Sequence, residues 1–392
     1  MLQVPPPQIK LSGRLIRASE LDETILSAWR RLASGDDAYD SALLQPEFTQ
    51  IVATVRKDVR IAVFEAGDEI LGILPVHLRP GGLARPVGAP FDDYSGPILS
   101  PRLDCDLATL LELAGLPAYQ APGAVDPWHR LHEVSPAPEA DGEDGIEHHV
   151  IRPGSLSCAD YLERQRAAYA KRFKNFRRLQ NRAEREIGTL ELRWGKPDPV
   201  VLERLFAFKS RQFRASGLVN LIEARDARQI LDAVAASDHG FLVSMWIAGK
   251  LVSGHFGLRV GSSFQPWIAA FDPDYADYSP GNLLIMQMLI QMKEMGLETY
   301  DLAQGHDHYK KYFCNAARPS YPVFATASSA KGRRHRRSHV LWKKLGADRD
   351  DGSVGRLRRR LAQIAVSDRR LIPRTRQFIY AILARTVLGK TR

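Results

Sequence analysis

The chain has 392 residues, of which 44% are hydrophobic and 26% are charged, a composition typical of a globular protein with more than one core. It contains no apolar run of the roughly 20 residues that cross a bilayer, and its first residues lack the apolar core of a secretion signal. Three scattered cysteines exclude a disulfide scaffold and lack the spacing of a zinc site. We therefore expect a cytoplasmic protein.

The net charge of +10 is distributed unevenly along the chain. Residues 331–392 contain 19 Lys and Arg but only 4 Asp and Glu, whereas the preceding 330 residues contain 36 Lys and Arg and 41 Asp and Glu. A mildly acidic body is thus followed by a strongly basic tail.

A unit of hairpin, helix and strand recurs in the sequence at offsets between 181 and 184 residues. The matching pairs are Ala66-Gly67 with Ala248-Gly249, Gly72 with Gly254, Tyr94-Ser95 with Tyr278-Ser279, and Gly115-Leu116 with Gly296-Leu297. Short glycine turns between β-rich runs predict hairpins. The repeat predicts an α+β fold of two tandem domains, each a mainly antiparallel sheet flanked by helices. We place them at residues 11–145 and 146–327, with a Pro-rich and acidic linker at 135–145 and a basic helical tail at 328–392.

One long basic helix is predicted at the start of the second domain. Ser157 with Asp160 has the spacing of a helix N-cap, apolar residues recur at helical spacing up to Ile187, and Gly188 supplies a stop. Nine Arg and Lys residues crowd the other faces between Arg164 and Arg185. This pattern is typical either of a core helix with a solvated basic face or of an electropositive wall that attracts an anionic substrate or acyl carrier.

The sequence Ser279-Pro280-Gly281-Asn282 precedes an apolar helix predicted over residues 283–295. Ser279 can cap that helix, proline suits its first position, and Gly281 removes a side chain from its first turn. The free N–H groups and the positive dipole end of such a terminus suit a pyrophosphate, although most capped helices bind nothing.

A polar loop follows the short strand that is predicted at Tyr300-Asp301-Leu302. It contains His306, Asp307 and His308, followed by Tyr309 and Lys310. Two alternating histidines make a poor metal site without a third ligand, so we predict no metal. Two interpretations remain, a solvated turn or an active-site loop in which Asp307 or a histidine is the general base and Tyr309 and Lys310 orient anionic groups.

Three motifs occur in a fixed order: Lys209-Ser-x-Gln212-x-x-x-x-Gly217, Tyr278-Ser-Pro-Gly281 and Asp301-Leu-x-x-Gly305-x-x-x-Tyr309-Lys310. Together they resemble the GNAT-superfamily acyltransferases of the CelD/BcsL type, which are associated with bacterial cellulose and exopolysaccharide synthesis. The resemblance is good over residues 157–314 and looser before them. FemABX-type peptidyltransferases, which are related, have two GNAT-like domains in tandem.

The resemblance implies a role for each matched residue. Tyr278, Ser279, Pro280, Gly281 and Asn282 would bind the pyrophosphate of acetyl-CoA or another acyl-CoA, while Lys209, Gln212, Asp301 and Gly305 would contact the acceptor. His306, Asp307, Tyr309 and Lys310 would form the catalytic loop. His306 departs from the acid that is common there, and Asp307 is the shorter counterpart of a glutamate.

The sequence therefore predicts an acyl-CoA-dependent N- or O-acyltransferase that transfers an acetyl group to a sugar or amine. Acyl transfer needs no covalent nucleophile, so Cys158 and Cys314 are expected to be ordinary residues, and His255 is either a core histidine or faces the cleft. The alternatives are a FemABX-like aminoacyl or peptidyl transferase acting on a cell-envelope precursor and a non-catalytic scaffold. For the basic tail, an anionic membrane surface ranks first, a solvated appendage second and nucleic acid last.

Overall fold

The structure, a computed structural model, describes residues 10–131, 146–216, 220–305 and 309–344. The predicted linker, Gly217, the three residues His306, Asp307 and His308, and the tail beyond residue 344 lie outside these ranges. The described residues form two compact units. The first contains residues 10–88, 92–131, 146–147 and 319–344, and the second contains 89–91, 148–216, 220–305 and 309–318.

The described residues form strands and helices, several of one kind often following one another. The strands are β1 (Leu11–Arg17), β2 (Val59–Ala66), β3 (Glu69–Leu78), β4 (Leu83–Pro86), β5 (Ile98–Leu99), β6 (Ala118–Ala124), β7 (Ile146–Ile151), β8 (Leu190–Gly195), β9 (Gly240–Ile247), β10 (Lys250–Val260), β11 (Ser263–Phe271), β12 (Thr299–Gln304) and β13 (Ala316–Thr326). The helices are α1 (Glu23–Ala33), α2 (Pro46–Val55), α3 (Leu107–Leu113), α4 (Cys158–Ala168), α5 (Ala170–Glu186), α6 (Pro199–Ser216), α7 (Arg225–Ala236), α8 (Pro280–Gln291), α9 (Lys310–Phe313) and α10 (Ala330–Lys344).

The first unit has a sheet in the order β1-β2-β3-β4-β6-β13, with β5 paired to β3. β4 and β6 run parallel, and the other neighbours run antiparallel. Leu110 and Leu111 of α3 pack with Phe64 and Tyr119 of the sheet in one apolar core. Burial of these side chains supplies the main force that holds the helix on the sheet.

The second unit has a sheet in the order β7-β12-β11-β10-β9-β8. Helices α4, α5 and α8 pack on it through an apolar core that includes Tyr161, Phe176 and Leu284. On β10, Phe256 contacts Phe206 of α6 edge to face, with ring centroids 6.0 Å apart. Because side chains alternate along a strand, His255 points to the opposite face from Phe256.

The two units share one topology. In both, three antiparallel strand pairs lead into a helix and then a strand that pairs in parallel, as β1-β2-β3-β4-α3-β6 and as β8-β9-β10-β11-α8-β12. Gly115 and Gly296 follow α3 and α8 with the same left-handed φ of 67°. The predicted tandem arrangement, inferred from short matches at one offset, is therefore confirmed.

The repeat has one exception, at the helix start. After Tyr94-Ser95 the chain forms β5 before the helix, and α3 begins later with Asp106 as its N-cap. The helix of the first unit thus starts with a different sequence from the Pro280-Gly281-Asn282 that begins α8.

The long basic helix predicted from Ser157 to Gly188 is two helices. Ser157 caps α4 as expected, its hydroxyl accepting a hydrogen bond from Asp160 N at 3.0 Å. The helix is then interrupted at Tyr169, where φ is −127° and ψ is 43°. The Tyr169 ring packs edge to face on Tyr312, with ring centroids 5.2 Å apart. This long-range contact overrides the local helical pattern.

Strands β11 and β12 pair in parallel at two positions, Ser263 with Thr299 and Phe264 with Tyr300, and then part. β11 continues to Phe271 along β10, with Trp267 as an extra residue in a bulge, while β12 continues along β7. Beyond the two pairs, each strand has an edge that lacks a ladder partner in the described chain. The gap between these two edges is called the splay below.

Candidate active site

The start of α8 follows a residue in a strained backbone conformation. Ser279 has φ 52° and ψ 53°, in the left-handed region, where a non-glycine residue is uncommon. Its carbonyl oxygen accepts hydrogen bonds from Asn282 N at 3.1 Å and Leu283 N at 3.2 Å. Its side chain makes no capping bond, so the predicted cap by the Ser279 hydroxyl is wrong, although Ser279 occupies the N-cap position and Pro280 the first turn as predicted.

Gly281 presents an open face at this helix start. A Cβ atom built on Gly281 would have no heavy atom within 4 Å. Its N–H group has no hydrogen-bond partner among the described residues. Asn282 Oδ1 is buried and likewise lacks a partner in the described part of the chain. The N–H donor of Gly281 without a bond and the free space beside it are the features that a bound anion would use, whereas the Asn282 Oδ1 acceptor needs a donor.

Cations of α5 lie beside this terminus. The guanidinium of Arg182 lies 4.9 Å from the centroid of the Tyr278 ring, and the Tyr278 hydroxyl donates to Glu186 Oε2 at 2.9 Å. Arg182 and Arg185 both pair with Glu186, at 2.9 and 3.3 Å. Two guanidinium groups share one carboxylate, which leaves positive charge beside Tyr278, partly screened by solvent because all three side chains are accessible.

The two predicted acceptor-binding residues, Lys209 and Gln212, lie on α6, and Lys209 contacts the end of β11. Lys209 donates from Nζ to the carbonyl oxygen of Ala269 at 3.0 Å, and its ammonium lies 5.2 Å from the Phe213 ring centroid. Gln212 is half-buried, close to Lys209 along the same helix. The structure thus brings Lys209 to β11, one of the two strands that border the splay.

His255 forms a buried pair with Tyr300, whose hydroxyl is hydrogen-bonded to the imidazole Nδ1. Burial, together with the positive charge of Lys209, lowers the pKa of His255 to about 3. Burial also raises the pKa of the Tyr300 phenol. Both groups are therefore neutral at pH 7, which fits the core-histidine alternative. The sequence did not reveal Tyr300 as the partner, because a contact across β11 leaves no local pattern.

Asp301 is buried and bonded within the chain. Its Oδ2 accepts from Arg318 Nη1 at 2.7 Å and its Oδ1 from Ala303 N at 2.7 Å, with Asp301 1% and Arg318 4% exposed. The acceptor contact predicted for Asp301 stays a prediction, since the contacts seen here are internal. Sequence reasoning did not identify Arg318, which lies in β13.

Lys310 is also buried and bonds to the end of β12. Its ammonium donates to the carbonyl oxygens of Gln304 at 2.7 Å and Ala303 at 3.3 Å. Gly305 follows with a φ of 135°, and Tyr309 packs at the edge of the apolar core. The structure thus places Tyr309, Lys310, Asp301 and Gly305 at one end of β12. The other two catalytic candidates, His306 and Asp307, fall outside the described residues.

The described residues also bear on metal binding, on thiol chemistry and on membrane insertion. Within the described ranges, no cluster of three His, Cys, Asp or Glu side chains could hold a metal ion. Burial raises the pKa of the Cys314 thiol to about 12, so it is protonated at neutral pH and is a poor nucleophile. Among the described helices, none is both long and apolar enough to cross a membrane.

Residues 170–311 match the family model described as an acetyltransferase (GNAT) domain. No curated protein matches the chain. The chain is similar to the solved structure of FemX, with 11% sequence identity, 76% of this chain and 94% of that chain covered, and a TM-score of 0.52.

Two other solved structures are also similar. One is a tandem GNAT protein from the clavulanic acid biosynthesis pathway, with 13% identity, 82% and 100% coverage and a TM-score of 0.46. The other is the C-terminal domain of a putative lysylphosphatidylglycerol synthetase from Agrobacterium fabrum, with 12% identity, 81% and 96% coverage and a TM-score of 0.45. The family match confirms the GNAT-type domain predicted from the sequence, and the likeness to FemX supports the predicted fold.

Replacement of Asp301 by Ala should lower the free energy of unfolding by about 3–5 kcal/mol, because it removes the carboxylate that faces the buried Arg318 charge. The double replacement Asp301→Leu with Arg318→Met should recover most of this loss, since it removes both charges. Denaturant titration measures the three proteins. Equal instability of the single and double variants would contradict the buried ion pair.

The His255 imidazole should make stability depend on pH. Its pKa is about 3 in the folded chain and about 6.5 when unfolded, so the unfolded state gains a proton first as pH falls through 6.5. Between pH 7 and pH 5 this costs about 2 kcal/mol of unfolding free energy. We expect His255→Gln to remove about that much of the pH dependence, while Leu258→Val, a core change on the same strand, should leave it intact. The same pH dependence in all three proteins would refute the assignment.

Proposed function

We propose that the second unit is an acyl-CoA-dependent N- or O-acyltransferase that transfers an acetyl group to a sugar or amine acceptor. The observation that supports this is the open start of α8 at Gly281, in the connection between the splayed strands β11 and β12 and within the segment that matches a GNAT domain model. A diphosphate on that terminus would direct the remainder of the donor toward the edges of the two strands that part.

The residues at this terminus fit the diphosphate of CoA. Gly281 N–H would donate to it, and the lack of a side chain at Gly281 would let it approach the backbone. Asn282 would contact it only through its Nδ2 donor, because the orphaned Oδ1 is an acceptor. Arg182 would supply a second, charge-assisted contact, since Glu186 neutralises only part of the charge of the two arginines. When bound, acyl-CoA supplies a thioester carbonyl that an amine or hydroxyl can attack.

The chain's own residues would orient the acceptor and move its proton. Lys209 and Gln212 are proposed to border the acceptor cleft beside β11. Asp307, with His306 as the second candidate, is proposed as the general base. We assign Lys310 to positioning, because its ammonium already binds two carbonyl oxygens at the end of β12. Tyr309, the residue before Lys310, is proposed to orient anionic groups of the substrates.

The biological setting rests on the sequence resemblance. We propose a link to bacterial cellulose or exopolysaccharide synthesis, in which the acceptor is a saccharide, a saccharide precursor or an amine of that pathway. The CelD/BcsL-type motifs support it, with the departure at His306 noted above.

A FemABX-like aminoacyl or peptidyl transferase is the second candidate. The basic face of α5 favours it, because the exposed side chains of Lys171, Lys174 and Arg177 have no ion-pair partner among the described residues. From Lys171 to Arg185 this face extends about 20 Å along the helix axis, which is more than one diphosphate needs. Such a face suits a polyanionic donor such as a charged tRNA.

Substitution of Gly281 tests the proposed donor site. Gly281→Ala should bind CoA nearly as the wild type does, because the added Cβ meets no atom, whereas Gly281→Trp should weaken binding at least about 100-fold by filling the space. Isothermal titration with CoA measures both, and thermal melting checks that both fold. Equal affinity in the two variants would contradict a diphosphate at this terminus.

Mass spectrometry of the reaction products separates the two donor classes. The protein is incubated with a set of amine and saccharide acceptors and either acetyl-CoA or aminoacyl-tRNA. A mass gain of one acetyl group, lost in Gly281→Trp and kept in Gly281→Ala, is the expected result. Transfer of an aminoacyl group would favour the second candidate, and CoA binding without transfer from either donor would favour the scaffold.

A further inference from the structure

Helix α10 differs from the other described helices in its charge. It contains seven Lys and Arg residues and no Asp or Glu. Val340, Leu341 and Trp342, near its end, are 45%, 60% and 40% exposed. Exposed apolar side chains among cations are typical of a helix that lies on a membrane surface.

One face of α10 is fixed to the first unit. Gly332 is buried so closely that an added Cβ would lie 2.1 Å from Ala327 O. His335 Nε2 bonds to Gly81 O at 2.9 Å, and the ring of His339 stacks on Phe324 with centroids 3.8 Å apart. These contacts determine which side of the helix faces outward.

The outward side combines cations with an apolar residue. Arg334, Arg337, Leu341 and Lys344 follow one another at intervals of three and four residues, so they line one stripe on the side opposite Gly332 and His339. All four are exposed. The stripe is about 15 Å long and contains no carboxylate.

We propose that this stripe is a docking surface for an anionic phospholipid bilayer, with the cations on the headgroups and Leu341 inserted among them. The charge complementarity favours an anionic partner. The chain that follows α10 is itself basic, with 12 Lys and Arg against 4 Asp and Glu over residues 345–392, so it would repel the stripe. The exposed Leu341 and Val340 favour lipid over nucleic acid, because phosphate contacts alone have no use for apolar side chains.

Vesicle sedimentation of the full chain tests the proposal. Vesicles of phosphatidylcholine with 30% phosphatidylglycerol are compared with vesicles of phosphatidylcholine alone, and we expect the protein to sediment with the first kind only. Arg334→Glu with Arg337→Glu should lower the partition coefficient at least about 30-fold, because each cation near an anionic surface contributes about fivefold. Leu341→Ser should lower it about tenfold and should do so in high salt as well, since its contribution is apolar.

A matched control changes the net charge by the same amount at sites away from α10. Lys250→Glu with Lys293→Glu changes two exposed lysines of the second unit and should leave sedimentation within about twofold of the wild type. If both charge-reversal variants lose vesicle binding equally, the effect depends only on net charge and the proposal is overturned. If the α10 variants sediment like the wild type, the proposal is also overturned. Binding of single-stranded RNA is measured with the same variants, and a loss of RNA binding with vesicle binding intact would likewise overturn it.

Discussion

The early parting of β11 from β12 is the constraint on which the rest of the second unit depends. β11 stays paired to β10, and β12 stays paired to β7, so the strands separate without either losing its place in the sheet. Each keeps an edge of backbone donors and acceptors that lacks a ladder partner in the described chain. Lys209 and Lys310 bind carbonyl oxygens of the two strands, and a gap between two strand edges inside a sheet is a natural place for an extended substrate.

Buried polar side chains hold the strands that border the splay. The Tyr300 hydroxyl ties β12 to His255 on β10, the Asp301 carboxylate binds Arg318 on β13, and the Lys310 ammonium bonds to the end of β12. Several of the residues with the strongest chemical character are thereby engaged within the protein. Internal bonds of this kind hold a site in a fixed geometry, so that other groups are left to contact the substrate.

Local sequence patterns predicted the features that depend on neighbouring residues and missed the features that depend on contacts between distant residues. The glycines at 115 and 296 marked the ends of two equivalent helices, because a left-handed residue at that point is a local requirement. The break at Tyr169 and the buried partner of Asp301 depend on Tyr312 and Arg318, which come much later in the chain. Ser279 was predicted as a cap from its residue type, but its left-handed backbone turns the hydroxyl away from that role.

Amide hydrogen exchange of the full chain, with and without CoA, tests most directly whether the start of α8 receives a diphosphate. The Gly281 amide, which has no hydrogen bond among the described residues, should exchange quickly in the free protein and at least about tenfold more slowly with CoA at saturation. The amide of Gly261, in the turn between β10 and β11, should not change. Saturable CoA binding that leaves the Gly281 amide as fast as before would contradict the account.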